Sequence, residues 1–214
     1  MGFSSGWGKQ QSPGKSGGFG GFFRNPPPVK PQLDRATRDI EVLISRLDQA
    51  ESRIKQRDES IFRRVVYALR RGDNDHASMY ANELSEVRNL GKTVSSARLA
   101  LEQVSLRLKT ITDLGDVAAT LAPTIAVVRG VGQGLGGVLP SAEGELNEIS
   151  SLLSSTLVEA GTVKGTTLNF GAANEEAERV LDEASAVAES RMTEQFPAVP
   201  VAVRDEDETE GLTA

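Results

Sequence analysis

The chain has 214 residues with no cysteine, a single histidine and ten aromatic residues, five of which (Phe3, Trp7, Phe19, Phe22 and Phe23) fall in the first 23. Without cysteine there are no disulfides, iron–sulfur clusters or thiolate zinc sites, as suits a cytosolic protein, and the few remaining aromatics leave little for a large globular core. The formal charge of -6 conceals an asymmetry: residues 1–114 carry 19 Lys and Arg against 13 Asp and Glu, a balance of +6, whereas residues 115–214 carry 5 against 17, a balance of -12.

Residues 1–32 form a low-complexity tail of Gly, Ser, Lys and Phe that ends in Pro26, Pro27, Pro28 and Pro31, predicted to be flexible and then stiffly extended. It lacks the continuous apolar core and cleavage site of a secretory signal. Met1-Gly2 opens like a myristoylation site, but Gly6 stands where Ser or Thr is needed. The tail interleaves its five aromatics with Lys9, Lys15, Arg24 and Lys30 and holds no acid. Aromatic rings favour the bilayer interface, and each basic residue beside an anionic surface contributes about 1 kcal/mol. Phe3, Trp7, Lys9, Lys15, Phe19, Phe22, Phe23 and Arg24 are therefore the candidate membrane contacts.

Residues 33–113 predict an antiparallel hairpin of two long helices. In the first, over 33–71, Ile40, Leu43, Leu47, Ala50, Ile54, Ile61, Val65 and Ala68 step by threes and fours, with Arg57 read as the interruption. In the second, over 75–113, Leu84, Val87, Leu90, Val94, Ala97, Leu101, Val104, Leu108 and Ile111 continue the pattern. Between them Gly72-Asp73-Asn74-Asp75 supplies a glycine to end one helix and Asp or Asn to cap the next. Each helix would be roughly 50 to 60 Å long. The first carries ten basic residues against seven acids, so the hairpin and the tail would meet the same anionic surface. DNA is a competing anion, but the low pI and the lack of a base-reading motif argue against nucleic acid.

The stretch A-L-R-R-G-D-N-D-H-A-S-M-Y-A-N-E-L-S-E-V-R at residues 68–88 and A-R-L-A-L-E-Q-V-S-L-R-L-K-T at 97–110 resemble the archaeal ESCRT-III proteins of the CdvB type. G-D-V at 115–117, L-A-P at 121–123 and V-L-P-S-A-E-G-E-L-N-E-I at 138–149 look like the continuation of the same family into third and fourth helices, so the resemblance covers residues 33–160. It implies a subunit that polymerises with itself and with paralogues and remodels membrane in cell division or vesicle release. The implied location is the cytoplasmic face of the cell membrane at the division site. Nothing here fits the C-terminal winged-helix segment of some relatives, and the length resembles a shorter paralogue.

Residues 117–139 contain one charge, Arg129, and are long enough to span a bilayer. Arg129 at the centre, Pro123, Gln133 and five glycines oppose that reading. Gly132, Gly134 and Gly137 also satisfy G-x-G-x-x-G, yet Pro140 and the absence of a second strand–helix–strand unit oppose a dinucleotide site. The pattern of Leu114, Val117, Leu121, Ile125 and Val128 instead predicts an amphipathic third helix with a glycine-rich hinge at its end. A fourth helix is predicted over 141–159, completing a unit at 114–160, and a linker over 161–173. A strongly acidic docking helix follows over 174–195, with Val180, Leu181, Ala184, Val187 and Ala188 as its apolar stripe.

Residues 196–214 comprise an apolar, proline-containing motif and an acidic tail. Phe196, Pro197, Val199, Pro200 and Val201 favour an extended form that docks in grooves at low ordering cost. The segment looks like the motif by which CdvB-type proteins bind the MIT domain of a CdvC-type AAA ATPase, with Phe196 where such motifs often have Leu. The resemblance thus implies disassembly by that ATPase.

No catalytic constellation is present: there is no cysteine or Walker loop, His76 stands alone at a turn, and the carboxylates fall on solvated faces. No cofactor, metal or small-molecule substrate is expected. The fold class is therefore all-α: a long two-helix hairpin with smaller amphipathic helices packed or docking on it and flexible tails at both ends. Two function classes fit it, a polymerising membrane-remodelling subunit and a helical scaffold or adaptor, including one associated with nucleic acid.

Overall fold

The computed structural model describes residues 29–111, 114–164 and 170–198. Five helices follow one another: α1 (Val29–Arg70), α2 (Asn74–Thr110), α3 (Leu114–Leu135), α4 (Pro140–Lys164) and α5 (Phe170–Gln195). No strand occurs among the described residues. At 1.5 Å per residue the 42 residues of α1 and the 37 of α2 extend about 63 and 56 Å.

The hairpin turn follows from local chemistry. Gly72 adopts a left-handed φ of 68°, the Gly72 amide donates to the Leu69 carbonyl and the Asp73 amide to that of Ala68, both at 3.0 Å. This pairing satisfies the last carbonyls of α1. Asp73 then caps α2 by accepting from the His76 amide at 3.2 Å.

Several boundaries differ from those predicted. Residues 29–32, assigned to the tail, form the first turn of α1, where Pro31 lacks an amide that has no intrahelical partner in any case. Helix α3 continues through Gly130, Gly132 and Gly134, and Pro123 lies within it, so the glycine-rich break is confined to 136–139. Helix α4 extends to Lys164 and α5 begins at Phe170, so helix occupies both sides of the expected linker.

Helices α1 to α4 pack in a cycle, α1 on α2, α2 on α3, α3 on α4 and α4 on α1, and α5 lies across α2 and α3. Their shared core contains Leu43, Leu47, Leu101, Leu121, Leu135, Leu146 and Leu153 and is built from aliphatic residues. Sparse aromatics therefore did not preclude a core. A second, smaller cluster of Ile61, Val65, Leu84 and Val87, backed by Phe62, Leu69 and Tyr80, belongs to α1 and α2 alone. The hairpin thus has a five-helix base and a two-helix outer end. Truncating Leu101, which is fully buried in the base, to Ala is expected to cost about 2–5 kcal/mol in chemical denaturation, through lost transfer energy and the cavity left behind.

Candidate functional site

Helix α5 runs antiparallel to α2: Glu176 pairs with Arg107 at 2.5 Å, Glu189 with Lys92 at 2.9 Å, and Phe196 lies beside Arg88. Its buried face is built from small residues, Ala173, Ala177, Val180, Ala184 and Ala188. Two glycines on the facing helices complete the close approach. A Cβ on Gly130 of α3 would stand 2.7 Å from Leu181 Cδ1, and one on Gly91 of α2 would stand 3.1 Å from Met192 Cε. Val187, predicted in the apolar stripe, is instead 39% exposed, and Ala173 and Ala177 extend the stripe at its start.

At the end of α5 the chain meets an ion pair within the hairpin. Asp58 of α1 is buried and accepts from Arg88 Nε at 2.7 Å. Burial of a carboxylate is tolerated when a hydrogen-bonded cation accompanies it. The same guanidinium lies 5.5 Å from the centroid of the Phe196 ring and donates from Nη2 to the Pro197 carbonyl at 3.0 Å. Arg88, Asn89, Lys92, Glu189, Met192 and Phe196 line a groove of about 420 Å³ here.

Other charges brace the base. Arg98 binds Glu51 and Glu102; burial opposes its charge, but the Glu51 hydrogen bond and the nearby carboxylates hold its pKa above the ordinary arginine value. A hydrogen bond and the charge of Lys109 hold Glu41 below the usual carboxylate range, and the hydrogen bonds from His76 do the same for Asp73. Arg46 pairs with Glu145 across α1 and α4. By contrast, Arg38, Arg53, Lys55, Arg63, Arg64 and Arg70 are exposed on α1 and form no ion pair among the described residues. Also among the described residues, no three His, Cys, Asp or Glu side chains gather as a metal site requires, and no helix is long and apolar enough to cross a membrane.

Of the sequence-predicted site residues, Phe196 and Pro197 are placed together on Arg88. Val199, Pro200 and Val201 lie outside the described residues, as do Phe3, Trp7, Lys9, Lys15, Phe19, Phe22, Phe23 and Arg24. Sequence reasoning missed Asp58 and Arg88. The signal was available, since Asp58 falls four residues after Ile54 and three before Ile61, in phase with the buried stripe. Arg57, read as the interruption, is one residue out of phase and pairs with Glu83 at the surface.

These features define a class of protein: a long helical hairpin, cationic along its outer side, with an acidic C-terminal helix closed against it. Over 175 residues the chain is 41% identical to Cell division protein B1 of Sulfolobus acidocaldarius, covering 82% of each chain. It is 30% identical over 175 residues to Cell division protein B of the same organism, covering 80% of this chain and 67% of the relative. The chain belongs to the CdvB family of archaeal ESCRT-III-like cell-division proteins. No family model matches it, and no solved structure matches.

Replacing Asp58 by Ala would leave Arg88 without its buried partner and is expected to cost about 3 kcal/mol, the lower end of the range for a broken buried pair because Arg88 keeps some solvent contact. Replacing Asp58 by Leu together with Arg88 by Met should recover most of that loss in the same denaturant titration.

Proposed function

We propose that this cell-division family member is a polymer-forming subunit that binds and remodels membrane on the inner face of the cell, and that a CdvC-type AAA ATPase takes the polymer apart. The observation that carries the membrane reading is the row of cations on α1 that form no ion pair among the described residues, Arg38, Arg53, Lys55, Arg63, Arg64 and Arg70. They lie on the exposed side of a helix about 63 Å long, beyond a tail that holds five aromatics and no acid. Such a row matches an extended anionic surface better than a compact ligand.

Polymerisation is supported by the way α5 is held. Its departure would uncover an apolar strip on α2 and α3, around Gly91, Ala97, Gly130 and Val131, and an exposed strip on an elongated protein favours contact with further copies. A contact repeated without closure yields open filaments or curved sheets. The opposite charges of α5 and the hairpin, linked in one chain, favour the closed form at low salt. Paralogous subunits of the same shape would enter the same contacts. Recognition by the ATPase's MIT domain is assigned to the apolar, proline-flanked segment at 196–201.

Replacing Phe3, Trp7, Phe19, Phe22 and Phe23 by Ser should weaken cosedimentation with anionic vesicles without altering net charge. Replacing Arg63, Arg64 and Arg70 by Ala should weaken it by about 1 kcal/mol per residue. Unaltered binding in both variants would leave the helical scaffold as the better reading.

Removing residues 174–214 should promote filaments visible by negative stain, and those filaments should resist the ATPase. A chain that stays monomeric at high concentration, on vesicles and after this deletion does not polymerise. Replacing only Pro197 and Pro200 by Ala should spare closure and abolish MIT-domain binding in calorimetry.

A further inference from the structure

At the end of α5 the first two residues of the partner segment, Phe196 and Pro197, rest on the hairpin through specific contacts. Arg88 engages both of the segment's first two residues: its guanidinium faces the Phe196 ring at 5.5 Å, and its Nη2 donates to the Pro197 carbonyl at 3.0 Å. The Phe196 amide donates to the Met192 carbonyl at 3.0 Å, so the α5 backbone hydrogen bonding carries the ring to this position. Upstream, Met192 packs against Gly91, and Glu189 pairs with Lys92.

Arg88 does not depend on the segment for its own orientation. The buried Asp58 carboxylate fixes Nε at 2.7 Å, so one edge of the guanidinium is anchored in the hairpin while its face and Nη2 remain available. A planar guanidinium can satisfy a carboxylate, a carbonyl and an aromatic face together, which an ammonium group cannot.

We propose that Arg88 is a cis receptor for Phe196 and Pro197 and competes directly with the ATPase domain for them. The inference rests on the assignment of 196–201 as the partner segment. A domain that takes the segment as an extended strand or polyproline helix needs the Phe196 side chain and the adjacent backbone. Neither can be on Arg88 at the same time. Affinity for the domain is then reduced by the fraction of molecules in which the segment is free. Reciprocally, binding of the domain releases the end of α5 from α2 by the same factor. Recruitment of the ATPase and opening of the hairpin surface are thereby coupled through one side chain.

The test uses the full chain, the isolated MIT domain of a CdvC-type ATPase, and a synthetic peptide of residues 190–214. The peptide should bind the domain on the order of tenfold more tightly than the intact chain, the size that a cation–π stack and a charge-assisted hydrogen bond together provide. Arg88→Gln should restore peptide-like affinity to the intact chain. The paired Asp58→Asn, Arg88→Gln variant, which leaves no unpaired buried charge, should do the same if the single variant folds poorly. Equal affinity of peptide and wild-type chain, or no gain in a folded variant, overturns the competition.

Hydrogen exchange of the intact chain without any domain provides the second readout. The Phe196 amide should exchange faster in the folded variant than in the wild type, with the core amides of α2 unchanged, and an unaltered rate overturns the Arg88 contact itself. A peptide that fails to bind the domain removes the partner assignment, while the exchange measurement still decides whether Arg88 holds the segment.

Discussion

The seam between α1 and α2 is longer than the other helices can cover, and the rest of the architecture follows from that mismatch. Helices of 42 and 37 residues meet along their whole lengths, whereas α3, α4 and α5 have 22, 25 and 26. The shorter helices gather at the base, where Leu43, Leu47, Leu101 and Val104 join a common core with α3 and α4. Beyond them Ile61, Val65, Leu84 and Val87 hold the two hairpin helices together unaided. A two-helix contact buries only one stripe of each helix, and its stability comes from that packing far more than from helix propensity. The outer end therefore carries its cations on surfaces that no other described helix covers.

Helix α5 closes against this frame by a different physics. The α1–α2 seam uses large aliphatic side chains, whereas α5 presents mostly alanine and meets glycine on the other side. Burying an alanine yields little hydrophobic energy, so the contact relies on close approach and on flanking pairs such as Arg107–Glu176 and Lys92–Glu189. Exposed and half-exposed pairs contribute modestly and weaken with salt. The result is a helix that fits specifically and is held weakly. The overall charge division has the same origin in sequence, since the acids are concentrated in the segment that faces the basic half.

The all-α fold and the long hairpin were legible because few structures besides a long packed helix accommodate heptad-like periodicity over more than thirty residues, and Gly72-Asp73 marks the turn by a known backbone requirement. The assignment of glycines was less legible. Gly130 falls in the stretch read as a glycine-rich hinge and Gly91 drew no reading, yet their role is to admit Leu181 and Met192, and such a role depends on a helix about 50 to 100 residues away. The Phe196 motif was visible as an isolated apolar, proline-flanked segment. Its attachment to Arg88 was not, because an arginine on a charged helix face carries no mark of what it touches. Asp58 differed: its phase with Ile54 and Ile61 placed it in the stripe, and a one-residue shift in reading hid it.

The Asp58–Arg88 pair also bears on how the hairpin finds its register. Repeated aliphatic residues at heptad-like spacing pack nearly as well after a slip of one or two turns, so the apolar seam alone discriminates weakly between registers. A slip of α2 along α1 would bring Asp58 opposite another position and separate a buried carboxylate from its cation. The uncompensated charge costs several kcal/mol, more than the loss of a single well-fitted aliphatic contact. Nonpolar residues at both positions would give the seam comparable stability and less discrimination, whereas the ion pair favours a single alignment. Because the same guanidinium faces Phe196, the register of the hairpin sets where the end of α5 can rest.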